Sequence, residues 1–90
     1  MMIARELSII GSVQGVGFRW TAKRIADGLG LPGWVRNNPD GSVSLAVAGR
    51  AAAVNEFIAL LEEAMGGYIA DLRSKDLEPG TLHDGFVIVR

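Results

Sequence analysis

One nine-residue segment and one amide further along hold the residue types and spacing from which this chain could do chemistry. The segment is Gly11-Ser12-Val13-Gln14-Gly15-Val16-Gly17-Phe18-Arg19. Gly15 and Gly17, one residue apart, let several backbone N–H groups turn toward one point, because neither carries a Cβ. Apolar spacing predicts a helix from about Phe18, so its unpaired N–H groups and positive dipole end face the same place. Arg19 adds a planar guanidinium that can grip two oxygens of a phosphate at once. Together these make an anion cradle. It is not a Walker loop, since no Gly-Lys-Ser/Thr follows, nor a dinucleotide fingerprint, since Trp20 stands where the third glycine belongs. As pattern alone, the segment suits equally a tight strand-to-helix turn with an incidental surface arginine.

The amide is Asn37, eighteen positions after Arg19. Alternation places it on the same strand face as Val35, the face expected to lie under the helices, where a polar amide needs a partner. An Asn before a turn also commonly caps or closes that turn. Other candidates read as structural. His83 lies in Leu82-His83-Asp84-Gly85, a solvated turn with no nucleophile elbow to serve. Trp20 and Trp34 could stack on a ligand base, but read as packed or partly exposed residues, and Glu62-Glu63 reads as a solvated helix face.

The elements that must position these groups follow from periodicity. Arg5–Gly11 reads as a strand with Leu7 and Ile9 on one face and Glu6, Ser8 and Ile10 on the other. Phe18, Ala22, Ile25, Ala26 and Leu29 keep helical spacing, and Gly30 suits a left-handed C-terminal cap. Trp34–Asn37 returns to a strand, Asn38-Pro39-Asp40-Gly41 is a turn, and Val43, Leu45 and Val47 make a third strand hairpinning back. A second helix is expected from about Ala51 to Met65, with Val54, Phe57, Ile58, Leu61 and Met65 as its stripe and Gly66-Gly67 as its stop. Tyr68–Leu77 reads as a weaker edge strand interrupted by Lys75 and Asp76. After a turn at Glu78-Pro79-Gly80, Phe86 and Ile88 mark a final strand. The order is β-α-β-β-α-β with a short extra strand pair at the end. This predicts a single α+β domain over residues 1–90, a ferredoxin-like α/β sandwich with two helices on one face of an antiparallel sheet.

Composition narrows the partners. Ninety residues carry nine Lys+Arg against ten Asp+Glu, a net charge of −1, whereas a reader of nucleic-acid phosphates usually has a marked basic excess. The basic-glycine-aromatic signature of an RNA-recognition sheet is also missing. The charge is uneven: residues 1–40 hold five bases against three acids, and residues 41–90 hold four against seven. Zero cysteines remove disulfide scaffolds, thiol catalysis and Cys-ligated metals, and one histidine leaves little for a protein-held metal. No apolar run approaches a membrane span, and Arg5 and Glu6 interrupt any secretory segment. The expectation is a small cytoplasmic domain with no metal, cofactor, nucleic-acid or membrane partner.

Val13-Gln14-Gly15-Val16-Gly17-Phe18-Arg19, followed by Gly33-Trp34-Val35-Arg36-Asn37 and Asp40-Gly41-Ser42-Val43, resembles the acylphosphatases, small enzymes of ferredoxin-like fold that hydrolyse carboxyl phosphates. The resemblance spans essentially the whole chain, with Phe86 and Ile88 similar to the family's ending. It implies that Arg19 and the loop N–H groups of Gln14, Gly15, Val16, Gly17, Phe18 and Arg19 bind phosphate, and that Asn37 holds the attacking water. The implied ligands are an acyl phosphate and inorganic phosphate, with no metal. The sequence departs from the family pattern in three places. Ser12 replaces a frequent Arg, Gly49-Arg50 stands where Gly-Pro is usual, and Lys75 lies where an apolar residue is common. The rival reading is a non-catalytic module that binds phosphate or carbamoyl phosphate, of the kind found at the front of larger carbamoyl-transfer proteins. A chain ending at Arg90 just after its closing strand, with both Arg19 and Asn37 present, points instead to a free-standing enzyme, with a monomer expected.

Overall fold

The computed structural model describes residues 1–78, 80, 82 and 84–90. Its elements run β1 (Met2–Gly11), α1 (Phe18–Leu29), β2 (Gly33–Asn37), β3 (Val43–Arg50), α2 (Ala51–Met65), β4 (Ile69–Leu77) and β5 (Phe86–Ile88), with a 3-10 turn at Gly66–Tyr68. The strands form one sheet in the order β4-β1-β3-β2-β5. Leu7, Ile9, Val35, Val43, Leu45 and Val47 pack in one cluster with the helix stripes Phe18, Ala22, Ala26 and Val54, Phe57, Leu61, Met65. Both helices therefore cover the same sheet face, the ferredoxin-like arrangement. Gly30 ends α1 at φ 69°, ψ 29°, its N–H turned back to the carbonyls of Ala26 and Asp27.

Two details differ from the sequence reading. The sheet is mixed, because β5 pairs in parallel with β2 through Gly33↔Phe86, Trp34↔Val87 and Val35↔Ile88. The last two strands do not pair with each other; β4 and β5 occupy opposite edges. Alternation along a strand says which face is buried but not which neighbour it finds. Burial decides for β5: Phe86 is buried beside Phe57, ring centroids 6.1 Å apart, closing the core next to α1. Lys23 secures that edge by donating from Nζ to the Phe86 carbonyl at 2.9 Å.

The interruption in β4 is a pairing device rather than a weakness. Arg5 faces Asp76 and Glu6 faces Lys75 across the β1–β4 ladder, and Arg5 Nη1 lies 2.7 Å from Asp76 Oδ1, Lys75 Nζ 4.0 Å from Glu6 Oε1. Opposite charges at facing positions help set register and blunt an exposed edge. The turn expected at 78–80 includes Pro79 and the solvated turn expected at 82–85 includes His83; both residues lie outside the described residues.

Strand direction is what assembles a site. β1 and β2 are both antiparallel to β3, and β5 is parallel to β2. The C-terminal ends of β1, β2 and β5 therefore meet at one end of the sheet. There the loop leading into α1, the residue Asn37 and the chain beyond Ile88 come together.

Candidate active site

At that end lies a cleft of about 270 Å³. The loop and the start of α1 supply Val13, Gly15, Gly17, Phe18, Arg19 and Trp20; β2 supplies Asn37; Ile88 and Arg90 complete the wall. Thus Gly15, Gly17, Phe18, Arg19 and Asn37, all singled out in the sequence, share one cavity, whereas Gln14 and Val16 do not line it.

The loop is pinned from below and shaped by its glycines. Val13 is buried in the core and Val16 packs against it. Gly15 and Gly17 both adopt φ 78°, a left-handed conformation that costs other residues roughly 1–2 kcal/mol. A Cβ at either would meet no protein atom within 4 Å, so the backbone, and not crowding within the protein, demands glycine. Gly17 is the N-cap of α1 and brings no side chain to cap it, and the first turn carries no acidic residue. The first N–H groups of the helix are therefore left to whatever anion enters the cleft. Arg19 is half-buried at the second helical position. Among the described residues no carboxylate pairs with it. A half-buried guanidinium with no carboxylate partner, beside open N–H groups, is a strong anion attractor.

Asn37 faces this group from the sheet. Val35, two residues earlier on the same face, is fully buried, and Asn37 emerges where that face reaches the cleft. Among the described residues, one buried side-chain polar atom has no hydrogen-bond partner, and it is Asn37 Oδ1. A buried acceptor left open costs roughly 1–3 kcal/mol, which makes it a strong indication of a ligand site.

Gln14 connects the two halves. Its side-chain amide donates from Nε2 to the carbonyls of Asn38, at 2.8 Å, and Ser42, at 2.9 Å. Those carbonyls belong to the turn that follows Asn37, so the loop and the asparagine are held in register by one side chain. The turn is itself braced. Asn38 Nδ2 donates to Ser42 Oγ and Ser44 Oγ at 2.9 and 2.8 Å. Ser42 donates its hydroxyl and its N–H to Asp40 Oδ1 at 2.6 and 2.9 Å, and the hydroxyl bond first, then the N–H bond, hold the Asp40 carboxyl below its ordinary range. Gln14→Ala removes two hydrogen bonds at roughly 0.5–1.5 kcal/mol each. It is expected to lower stability in urea melts by about 1–3 kcal/mol and kcat by about tenfold, as Asn37 loses its fixed distance from the loop.

Sequence reasoning missed Ile88 and Arg90 as cleft residues and left Trp20 as packing or surface. Trp20 is 61% exposed, at the mouth. No local motif marks these positions. Only the parallel β2–β5 register, placing Ile88 beside Val35, brings the chain end to Asn37. Arg50, the departure before α2, has φ −62° and ψ 142° at the N-cap, backbone angles that a proline also adopts. Among the described residues no helix is long and apolar enough to cross a membrane, and no three His, Cys, Asp or Glu side chains cluster as metal ligands would.

The acylphosphatase family model matches residues 5–88. An acylphosphatase of Rhizorhabdus wittichii is 44% identical over 85 residues, spanning 93% of this chain and 85% of the relative. Across several curated relatives the matched part spans 57–93% of their length, in some less than two thirds. The crystal structure of an acylphosphatase from Bacillus subtilis covers all of both chains with a TM-score of 0.88 at 28% identity. Full-length HypF in its phosphate- and nucleotide-bound form contains the same fold, with a TM-score of 0.85 and 32% identity over 100% of this chain and 12% of its own.

Proposed function

This chain belongs to the acylphosphatase family, and from that premise we propose that it hydrolyses acyl phosphates to carboxylate and inorganic phosphate, using Arg19, the loop N–H groups and Asn37. The observation that carries the residue assignment is the open Oδ1 of Asn37 in the cleft that also holds Arg19 and the uncapped start of α1.

An acyl phosphate is a mixed anhydride, so the group leaving phosphorus is a carboxylate and needs no general acid. The work left is to hold the phosphoryl group, offset its charge and aim a water in line. The N–H groups of the cleft-lining residues Gly15, Gly17, Phe18 and Arg19, with the Arg19 guanidinium, take the non-bridging oxygens. Asn37 Oδ1 accepts a hydrogen bond from water, which keeps a lone pair of that water free to face phosphorus. The water oxygen bonds to phosphorus as the bond to the bridging oxygen breaks. The bridging oxygen leaves with its electron pair as carboxylate, and the water's proton passes to a phosphate oxygen. Asn37 carries no proton in this scheme, because an amide is not basic near neutral pH.

We further propose that it acts as a monomer in the cytoplasm; the groups assigned here all lie on one chain, so the reaction as written calls on no second subunit. The test is release of phosphate from benzoyl phosphate in the presence of EDTA, expected to proceed at the same rate with and without chelator. The likeness to one-eighth of HypF favours a second reading, a module that binds phosphate or carbamoyl phosphate without turnover. Phosphate binding with no release from benzoyl phosphate would establish that reading and remove ours.

A further inference from the structure

We infer that Trp20 is the surface on which the acyl group lies, selecting acyl phosphates with a flat aromatic acyl group over small aliphatic ones. This rests on the hydrolytic reading above and adds the part of the substrate that the phosphate cradle does not touch. Trp20 follows Arg19 directly in α1 and keeps 61% of its surface exposed, at the mouth of the cleft. Trp20 beside Ile88 puts apolar surface next to an anion site, where an apolar part of an anionic ligand can lie. A neighbouring groove of about 380 Å³ is lined by Trp20 and Ile88 together with Lys23, Arg24 and Asp27. Trp20 and Ile88 line both spaces, so these two side chains form the passage from one to the other.

Of the groove's charges, Lys23 and Asp27 are paired with each other, and Arg24 lies against the Trp20 ring. Lys23 Nζ pairs with Asp27 Oδ2 at 3.0 Å and donates to the Phe86 carbonyl. The Arg24 guanidinium sits 5.4 Å from the centroid of the Trp20 ring. Arg24 lines the groove and not the cleft, whereas Trp20 lines both. One turn along the same helix, the cation steadies the ring, which lowers the entropy lost when a substrate settles on it. In-line displacement directs the acyl group away from the water at Asn37 and out of the cradle. The apolar surface it meets at the mouth is Trp20 with Ile88.

The test compares benzoyl phosphate with acetyl phosphate in wild type, Trp20→Ala and Trp20→Phe. The ratio of kcat/KM for benzoyl over acetyl phosphate should fall about fivefold in Trp20→Ala, mainly through KM for benzoyl phosphate, and recover in Trp20→Phe. Inhibition by inorganic phosphate, which has no acyl group, should stay close to wild type and reports that the cradle is intact. A ratio that does not move in Trp20→Ala overturns the inference while leaving the hydrolytic reading in place. A wild type that turns over neither substrate overturns that reading and this inference with it.

Discussion

Arg19→Ala is expected to lose phosphate binding and turnover together, with kcat/KM for benzoyl phosphate falling by about 10²–10⁴. The estimate follows from two charge-assisted hydrogen bonds to a phosphoryl group at roughly 1.5–3 kcal/mol each. The loss appears in binding because the guanidinium meets the phosphate before reaction as well as during it. Competitive inhibition by inorganic phosphate should weaken in parallel. Arg19→Lys should recover only part, since an ammonium keeps the charge but not the two parallel N–H groups. Stability should hardly change: among the described residues Arg19 has no ion-pair partner to strand. Steady-state phosphate release with a phosphate inhibition series measures turnover and binding in each variant, and a urea midpoint its stability. Undiminished phosphate inhibition in Arg19→Ala would remove Arg19 from the binding site.

Asn37→Ala should separate what Arg19→Ala joins. Turnover falls by about 10²–10³, the loss that accompanies removal of one well-placed transition-state hydrogen-bonding group, while inhibition by inorganic phosphate stays near wild type. The contrast arises because Asn37 holds the water and not the phosphate. Stability gives a second, opposite signature. Oδ1 is buried and unpartnered, so its removal relieves a desolvation cost, and the alanine variant should be as stable as wild type or about 1 kcal/mol more so. Asn37→Asp places a carboxylate opposite the incoming phosphate and should weaken phosphate inhibition as well as turnover. A wild-type rate in Asn37→Ala would end the water-positioning role. These readings use kcat, the phosphate inhibition constant and a urea midpoint for each variant.

The fold was legible where local pattern and burial agree. The stripes of both helices, the cap at Gly30, the β2–β3 turn and the placing of Asn37 on the Val35 face all come from side chains whose period matches their element. The loop glycines were legible too, and the structure refines their role: at φ 78° they supply backbone conformation. Less legible was the function of Gln14. From sequence it is one polar residue in a loop; in the structure it ties that loop to the turn after Asn37, 24 and 28 residues away. Lys75 and Asp76 read as breaks in a strand until their partners Glu6 and Arg5 are seen on β1.

By itself the sequence determined the parts: a helix start with unpaired N–H groups after two closely spaced glycines, an arginine on its first turn, an amide on a buried strand face, and enough apolar period for two helices over a sheet. These depend on neighbours along the chain, which local sterics and 2- and 3.6-residue periods control. Tertiary structure alone decided the assembly. Parallel pairing of β5 with β2 is a contact between residues about 53 positions apart. It mixes the sheet and brings Ile88 and Arg90 to the cleft that Trp20 also lines. No local rule carries that information, because a strand's alternation is the same whichever neighbour completes its hydrogen bonds.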